Sequence, residues 1–313
     1  VSHTSGRGFA VALGAAAAGV VVWSTIIERQ LFTVRRHTLP LLPAGTAPVR
    51  ILQLSDLHLA PWQNGKIDWV RSLAELRPDL VVLTGDLLGH LDAIPALERA
   101  LRPFAELGIP GVFVHGSNDY YGPIAKNPMR YLREPSRKST RHPDIDNARL
   151  TRMLSDELGF TGLNNDATSL ELRGQRFELF GMNDPHIGYD DAAKMRSALD
   201  HTRAQHESAD GPAPTRIGVV HAPYQAPLGA LLAGGAELIL AGHTHGGQVR
   251  VPGLGALTAN CDLPVSQARG LSVWYDAHRA AFLNVSAGLG NSIYAPVRFA
   301  CRPEASLLVL EAA

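Results

Sequence analysis

The stretch LAGHTHGGQ (Leu240–Gln248) follows the apolar run AELIL (Ala236–Leu240). A short apolar run closed by glycine reads as a buried strand. His243 and His245 then stand just beyond its carboxyl end, with Gly242, Gly246 and Gly247 letting backbone pass close to whatever they hold. Two imidazoles so placed imply a ligand, and the rest of the chain supplies further runs that end the same way.

Working outward, RILQLSD, DLVVLTGD, GVFVHGSND, FELFGMND and RIGVVHAP are apolar runs that stop at Asp, Asn or His. The closing stretches AAFLNVSAGLG and ASLLVLEA read as further strands. Between them, IDWVRSLAEL, AIPALERALRPFAEL and AKMRSALDHTRAQ have the spacing of amphipathic helices. Strands alternating with helices predict an α/β layered fold. In such sheets ligands bind beyond the carboxyl ends of the strands, where the loops converge. There the sequence puts Asp56, His58, Asp86, Asn118, His221, His243 and His245.

One Asp after a strand usually caps a helix, and one His is usually surface or satisfied core. Seven donors on one edge exceed both explanations. Asp56 and His58 are two residues apart, so on extended backbone both point to one face; His243 and His245 are again two apart, among glycines. Carboxylate, amide and imidazole without thiolate suit Mn, Fe, Zn or a similar divalent ion. The donors outnumber the needs of one ion, which predicts two ions sharing a carboxylate, an arrangement used for in-line displacement at phosphorus.

The ordered set SDLHL, TGDLL, GSND, VVHAP and AGHTHGGQ resembles the calcineurin-like metallophosphoesterase superfamily, in its membrane-anchored bacterial branch. The resemblance implies a four-layer αββα sandwich from about Val49 to the C-terminus, and a phosphate ester as substrate. It makes Asp56, His58 and His245 ligands of one ion, with Asp86 bridging. Asn118, His221 and His243 complete the second and are the catalytic candidates. The third motif departs from the family pattern Gly-Asn-His-Asp/Glu: here it reads Gly116-Ser117-Asn118-Asp119. Asn118 is the expected amide donor, Ser117 competes for the same role, and the usual general-acid histidine is missing. His90 and His115 are the substitutes near in sequence.

Phe9–Ile27 is an uncharged run of 19 residues, and roughly 20 apolar residues span a bilayer. It is read as a single-pass anchor in a bacterial cell membrane. A signal peptide is the alternative, but no small-x-small cleavage site precedes a polar start. Residues 1–37 are thus assigned to the anchor, the Pro-rich 38–48 to a linker, and 49–313 to the catalytic domain. Within that domain, 120–143 is a basic insertion carrying Lys126, Arg130, Arg133, Arg137, Lys138 and Arg141 against the lone acid Glu134. It reads either as a solvated loop or as a lid toward an anionic substrate or membrane, possible lipid esters included.

The 313 residues carry 29 Lys and Arg against 29 Asp and Glu, a balance that argues against a nucleic-acid polymer as partner. Cys261 and Cys301, the only two cysteines, are too few for a disulfide framework and are read as a pair or as two buried thiols. Arg298 is read as structural, with a phosphate contact as the alternative. Two functions from other classes compete: a metal-binding pseudoenzyme acting as a sensor, and a cyclic-nucleotide phosphodiesterase.

Overall fold

The computed structural model describes residues 4–123, 142–206, 212–291 and 295–313. Helix α1 (Thr4–Val22) runs into a π-helical turn (Trp23–Ile27) and a short 3-10 turn (Glu28–Gln30). Strands β1 (Thr33–Leu42) and β2 (Val49–Leu54) follow. Then come α2 (Asn64–Ser72), β3 (Leu80–Thr84), α3 (Ile94–Glu106) and β4 (Gly111–Val114). The middle of the chain forms α4 (Asn147–Arg152), β5 (Thr161–Gly162), β6 (Asp166–Leu172), β7 (Gln175–Met182) and α5 (Ala192–Gln205). After β8 (Thr215–Val220), α6 (Gln225–Ala233) and β9 (Leu238–Ala241) comes a small hairpin, β10 (Arg250–Val251) and β11 (Gly255–Ala256). Strands β12 (Gly270–Tyr275), β13 (Ala280–Val285) and β14 (Glu304–Ala312) close the fold.

Two six-stranded mixed sheets result, in the orders β1-β14-β2-β3-β4-β5 and β12-β13-β9-β8-β7-β6. Alternate residues of each inner strand face opposite layers. Leu52 and Leu54 of β2 and Val81 and Leu83 of β3 pack toward α2 and α3. Ile51, Leu80 and Val82 instead meet Ile217, Val219, Leu238 and Leu240 of the other sheet. Ile239 and Ala241 of β9 face α5 and α6 with Met195, Leu228 and Leu231. Three apolar interlayers therefore separate four layers, αββα. Strands buried on both faces have no polar alternation, which is why they appear in the sequence as continuous apolar runs.

The N-terminal region differs from its reading in the sequence. Thr33–Leu42, assigned there to the end of the anchor and the start of the linker, is a strand that pairs in parallel with β14, Thr33 opposite Glu304 and Leu39 opposite Leu310. Pro40 has no N–H to donate, but β1 lies at the sheet edge and bonds on one side only. Before it, Gly8–Gln30 is long and apolar enough to cross a membrane, with a mean hydropathy of 2.1 and 6% of its most apolar window buried. All six cations of the basic insertion lie outside the described residues.

Candidate metal centre

The carboxyl ends of β2, β3 and β4 in one sheet face those of β8 and β9 in the other, and every expected donor sits on the loop that leaves one of these strands. The loops are sharply bent. Among the described residues eleven non-glycine residues have positive φ, and five of them are Asp56, His58, Asp86, His243 and His245. Such backbone is unfavourable for a residue with a Cβ and concentrates where function requires it. This corrects the reading from spacing for Asp56 and His58, whose backbone is not extended. His243 and His245 are separated by a turn that sends the two rings to different donor clusters.

In the first cluster, Nε2 of His58 lies 3.2 Å from Nε2 of His245, which is 3.6 Å from Oδ1 of Asp56. In the second, Nε2 of His221 is 3.3 Å from Nδ1 of His243 and 3.6 Å from Oδ1 of Asp86. The other Asp86 oxygen is 3.6 Å from Nε2 of His58, so one carboxylate faces both clusters. Asp56, His58 and His245 form one group of mutually close donor atoms; Asp56, Asp86 and His221 form another.

Neighbouring groups fix which ring nitrogen is offered. The Thr84 carbonyl, 2.7 Å from Nδ1 of His221, accepts its N–H and leaves Nε2 turned inward. The Asn260 carbonyl, 3.2 Å from Nε2 of His243, leaves Nδ1 as the inward atom. Asp56 accepts from Ser55 Oγ at 2.5 Å and from the His243 N–H at 3.0 Å. Burial pushes His58 down to about 4 and holds His243 and His245 well below the usual imidazole range, so all three rings are neutral with lone pairs available. Burial would raise Asp86, but His221 beside it prevails and holds its carboxyl well below the usual range.

The residues fit divalent cations. Burial would lower His221, but the Asp86 carboxylate prevails and holds it well above the usual imidazole range. Nitrogen lone pairs of His58 and His245 and carboxylate oxygens of Asp56 and Asp86 converge at separations that a cation, rather than a hydrogen bond to each, would satisfy. The packing leaves no room for alternatives: a Cβ on Gly116 would fall on the Asp86 carboxylate, and one on Gly242 on Ser55 Oγ and Asp56 Oδ2.

At the third motif Asn118 donates to Asp86 twice, from its backbone N–H to Oδ1 and from its amide to Oδ2, each at 2.7 Å. His115 is buried between Phe113 and Tyr120 with Nε2 on Thr151 Oγ1, which leaves it inside the core. His90 stands against Trp62 and accepts from the Asp92 N–H. Arg298 is fully buried and donates to the carbonyls of Ala287, Gly288, Gly290 and Cys301, a structural role. Both cysteines are free thiols.

Sequence reasoning missed several residues around the centre. Asp119 accepts from the N–H groups of Gly116, Leu87 and Leu88 and so ties the β3 and β4 loops together; burial pushes it up to about 7. The His186 ring lies 4.5 Å from that of His243, with Nδ1 2.9 Å from the Tyr224 hydroxyl. The signal for it was present in FELFGMNDPH, another apolar run ending in Asp and His.

This arrangement of two donor clusters at the joined ends of two sheets defines a metal-dependent phosphoesterase class. The chain belongs to the calcineurin-like phosphoesterase family, whose pattern matches residues 49–247. Relatives extend over most of its length. It is 25% identical to the Bacillus subtilis metallophosphoesterase YkuE, covering 95% of this chain and 94% of YkuE. It is 28% identical to the Escherichia coli phosphodiesterase YaeI, over 89% and 88% respectively. A Bos taurus transmembrane protein with a metallophosphoesterase domain is 27% identical over 87% of this chain and 55% of that protein.

Proposed function

We propose that the chain is a membrane-anchored phosphoesterase that uses two divalent ions to hydrolyse phosphodiesters or phospholipid-like phosphate esters. One observation carries the reading: a single carboxylate, Asp86, faces two imidazole clusters at 3.6 Å on either side. Asp56, His58 and His245 would hold one ion and Asn118, His221 and His243 the other, with Asp86 available to both. When bound, the ions supply Lewis acidity and a water made nucleophilic near neutral pH; Mn, Fe and Zn suit the donors. The chain's own contribution is placement. Thr84 and Asn260 hold the rings of His221 and His243, and Asp119 holds the loops that present Asp86 and Asn118.

The diester preference draws on the name of YaeI and on the third motif, which lacks the histidine that would protonate a poor leaving group. The lipid-like preference draws on the apolar Gly8–Gln30 helix, read as a single-pass anchor in the cell membrane. The same motif favours a second reading, a metal-binding sensor without turnover.

The test is hydrolysis of bis-p-nitrophenyl phosphate by the full chain in detergent, titrated with Mn²⁺, beside Asp86→Ala. Metal-dependent turnover that drops by at least about a hundredfold in the variant is expected. Two ions bound with no turnover on any ester would favour the sensor.

A further inference from the structure

The apolar helix does not hang from the domain on a loose tether. Its last turns are bonded to the segment Arg298–Arg302. The Arg298 N–H donates to the Ser24 carbonyl at 2.9 Å. Glu28 accepts from the N–H groups of Ala300 at 3.0 Å and Cys301 at 2.6 Å, and from the Trp23 indole at 2.7 Å. Arg302 donates to the Leu31 carbonyl at 2.8 Å. The same segment continues to the metal-centre loop. Phe299 exchanges backbone bonds with Gln248 and Arg250, each at 2.9 Å, and Cys301 Sγ donates to the His245 carbonyl at 3.4 Å.

One residue, Phe299, thus separates the bond to Ser24 from the start of β10. Leu254, at the tip of the β10–β11 hairpin, follows Arg250 by four residues and cannot lie more than about 14 Å from it. It is 85% exposed, and Leu257 beyond the hairpin is 52% exposed. Val265, on a turn packed against β11, is 40% exposed. Single exposed leucines are ordinary. Here Leu254 lies near residues bonded to a membrane-length helix, and Leu257 and Val265 extend the exposed apolar surface around β11. Arg302 is exposed beside Leu31, where the helix joins the domain, as a cation meeting anionic headgroups is.

We propose that the β10–β11 hairpin, with Leu254, Leu257 and Val265, is a membrane-docking surface seated in the interfacial layer of the bilayer that α1 enters. It holds the loop Gly242–Gln248 at the membrane surface: the Arg250 guanidinium donates to the Gly246 carbonyl at 2.9 Å, and Gly247 abuts Ala256. Apolar side chains at the headgroup boundary add to the hold of a helix already inserted. The proposal rests on reading Gly8–Gln30 as a membrane helix.

The experiment uses the full chain in a Cys261→Ala background, Cys301 being fully buried. An environment-sensitive thiol label is placed at Leu254→Cys, at Leu257→Cys, or at Ala18→Cys within α1. The protein is reconstituted into phosphatidylethanolamine–phosphatidylglycerol vesicles carrying nitroxides at headgroup or acyl depth. Quenching at Leu254 and Leu257 by headgroup nitroxides, with Ala18 quenched by acyl nitroxides, is the expected result. Ala18 quenched but neither hairpin label quenched overturns the docking surface and leaves the anchor standing. Labels shielded from aqueous quencher but untouched by lipid nitroxides assign the patch to a protein partner and overturn it too. No quenching at any site removes both the anchor and the docking surface.

Discussion

Gln53 on β2 and Asn284 on β13 join the two sheets directly: Nδ2 of Asn284 donates to Oε1 of Gln53 at 2.7 Å, and neither residue is exposed. The Gln53 amide in turn donates to the Ala241 carbonyl at 2.9 Å. The tie sits three residues before Asp56 and at the last residue of β9, so it fixes the distance between the two halves of the metal centre.

Asn284→Ala leaves the Gln53 carbonyl buried without its donor. A loss of about 1–3 kcal/mol is expected, because an unpaired buried polar group bears its full desolvation cost. The double variant Gln53→Leu with Asn284→Leu recovers much of it. Urea unfolding in detergent of the unaltered protein, Gln53→Leu, Asn284→Leu and the double variant gives the coupling, and purely additive losses would remove the tie from this account.

Gly242→Ala keeps every donor yet places a methyl on Ser55 Oγ and Asp56 Oδ2. Metal affinity falls at least about tenfold, since displaced ligand geometry is the only change and supporting contacts are worth that much. Gly229→Ala in α6 has open space at its Cβ and serves as control, with a gain of about 0.5–1 kcal/mol. Titration calorimetry with Mn²⁺ reads the first and thermal unfolding the second.

Asn118→Ala lowers turnover far more than Ser117→Ala, because Asn118 alone of the two contacts Asp86 by side chain. Ser117→Asn with Asn118→His restores the family's third motif. Turnover of an alkyl phosphate ester then rises by about 10²–10⁴ relative to a nitrophenyl ester, the range a positioned general acid contributes. Equal rises on both esters would show that no proton donor had been gained.

Lys66 is buried, donates to the Leu57 carbonyl at 2.8 Å, and is pushed by burial from 10.5 down to about 7. Between pH 7 and 10.5 the unfolded chain therefore holds more protons at this position than the folded one. Stability relative to Lys66→Met rises with pH through that window and levels off below pH 7, where both states are protonated. Unfolding of both proteins at pH 6, 8 and 10 checks it; a constant difference would mean the ammonium stays charged inside the fold.

Much of this was legible in the sequence. Runs such as DLVVLTGD and ELILAGHTH announce strands buried on both faces, and Asp86, His243 and His245 follow directly at their ends. Strand β1 was not legible. RRHTLPLL carries two arginines and a proline, and its partner β14 lies at the other end of the chain, so no local pattern marks the pairing. Asp119 was hidden for a related reason. A carboxylate that accepts three backbone N–H groups from two loops looks in sequence like any Asp after a strand.

Residue type and local periodicity give the α/β layering, the apolar N-terminal helix and the chemical identity of the donors, while the four layers and the family come from the resemblance carried by the five motifs. The folded chain supplies the geometry by which the donors meet: positive φ at His243 and His245 turns one ring to His221 and the other to His58. Convergence of that kind is set by loop geometry and by long-range contacts such as Gln53 with Asn284, and neither is a property of any short stretch of chain.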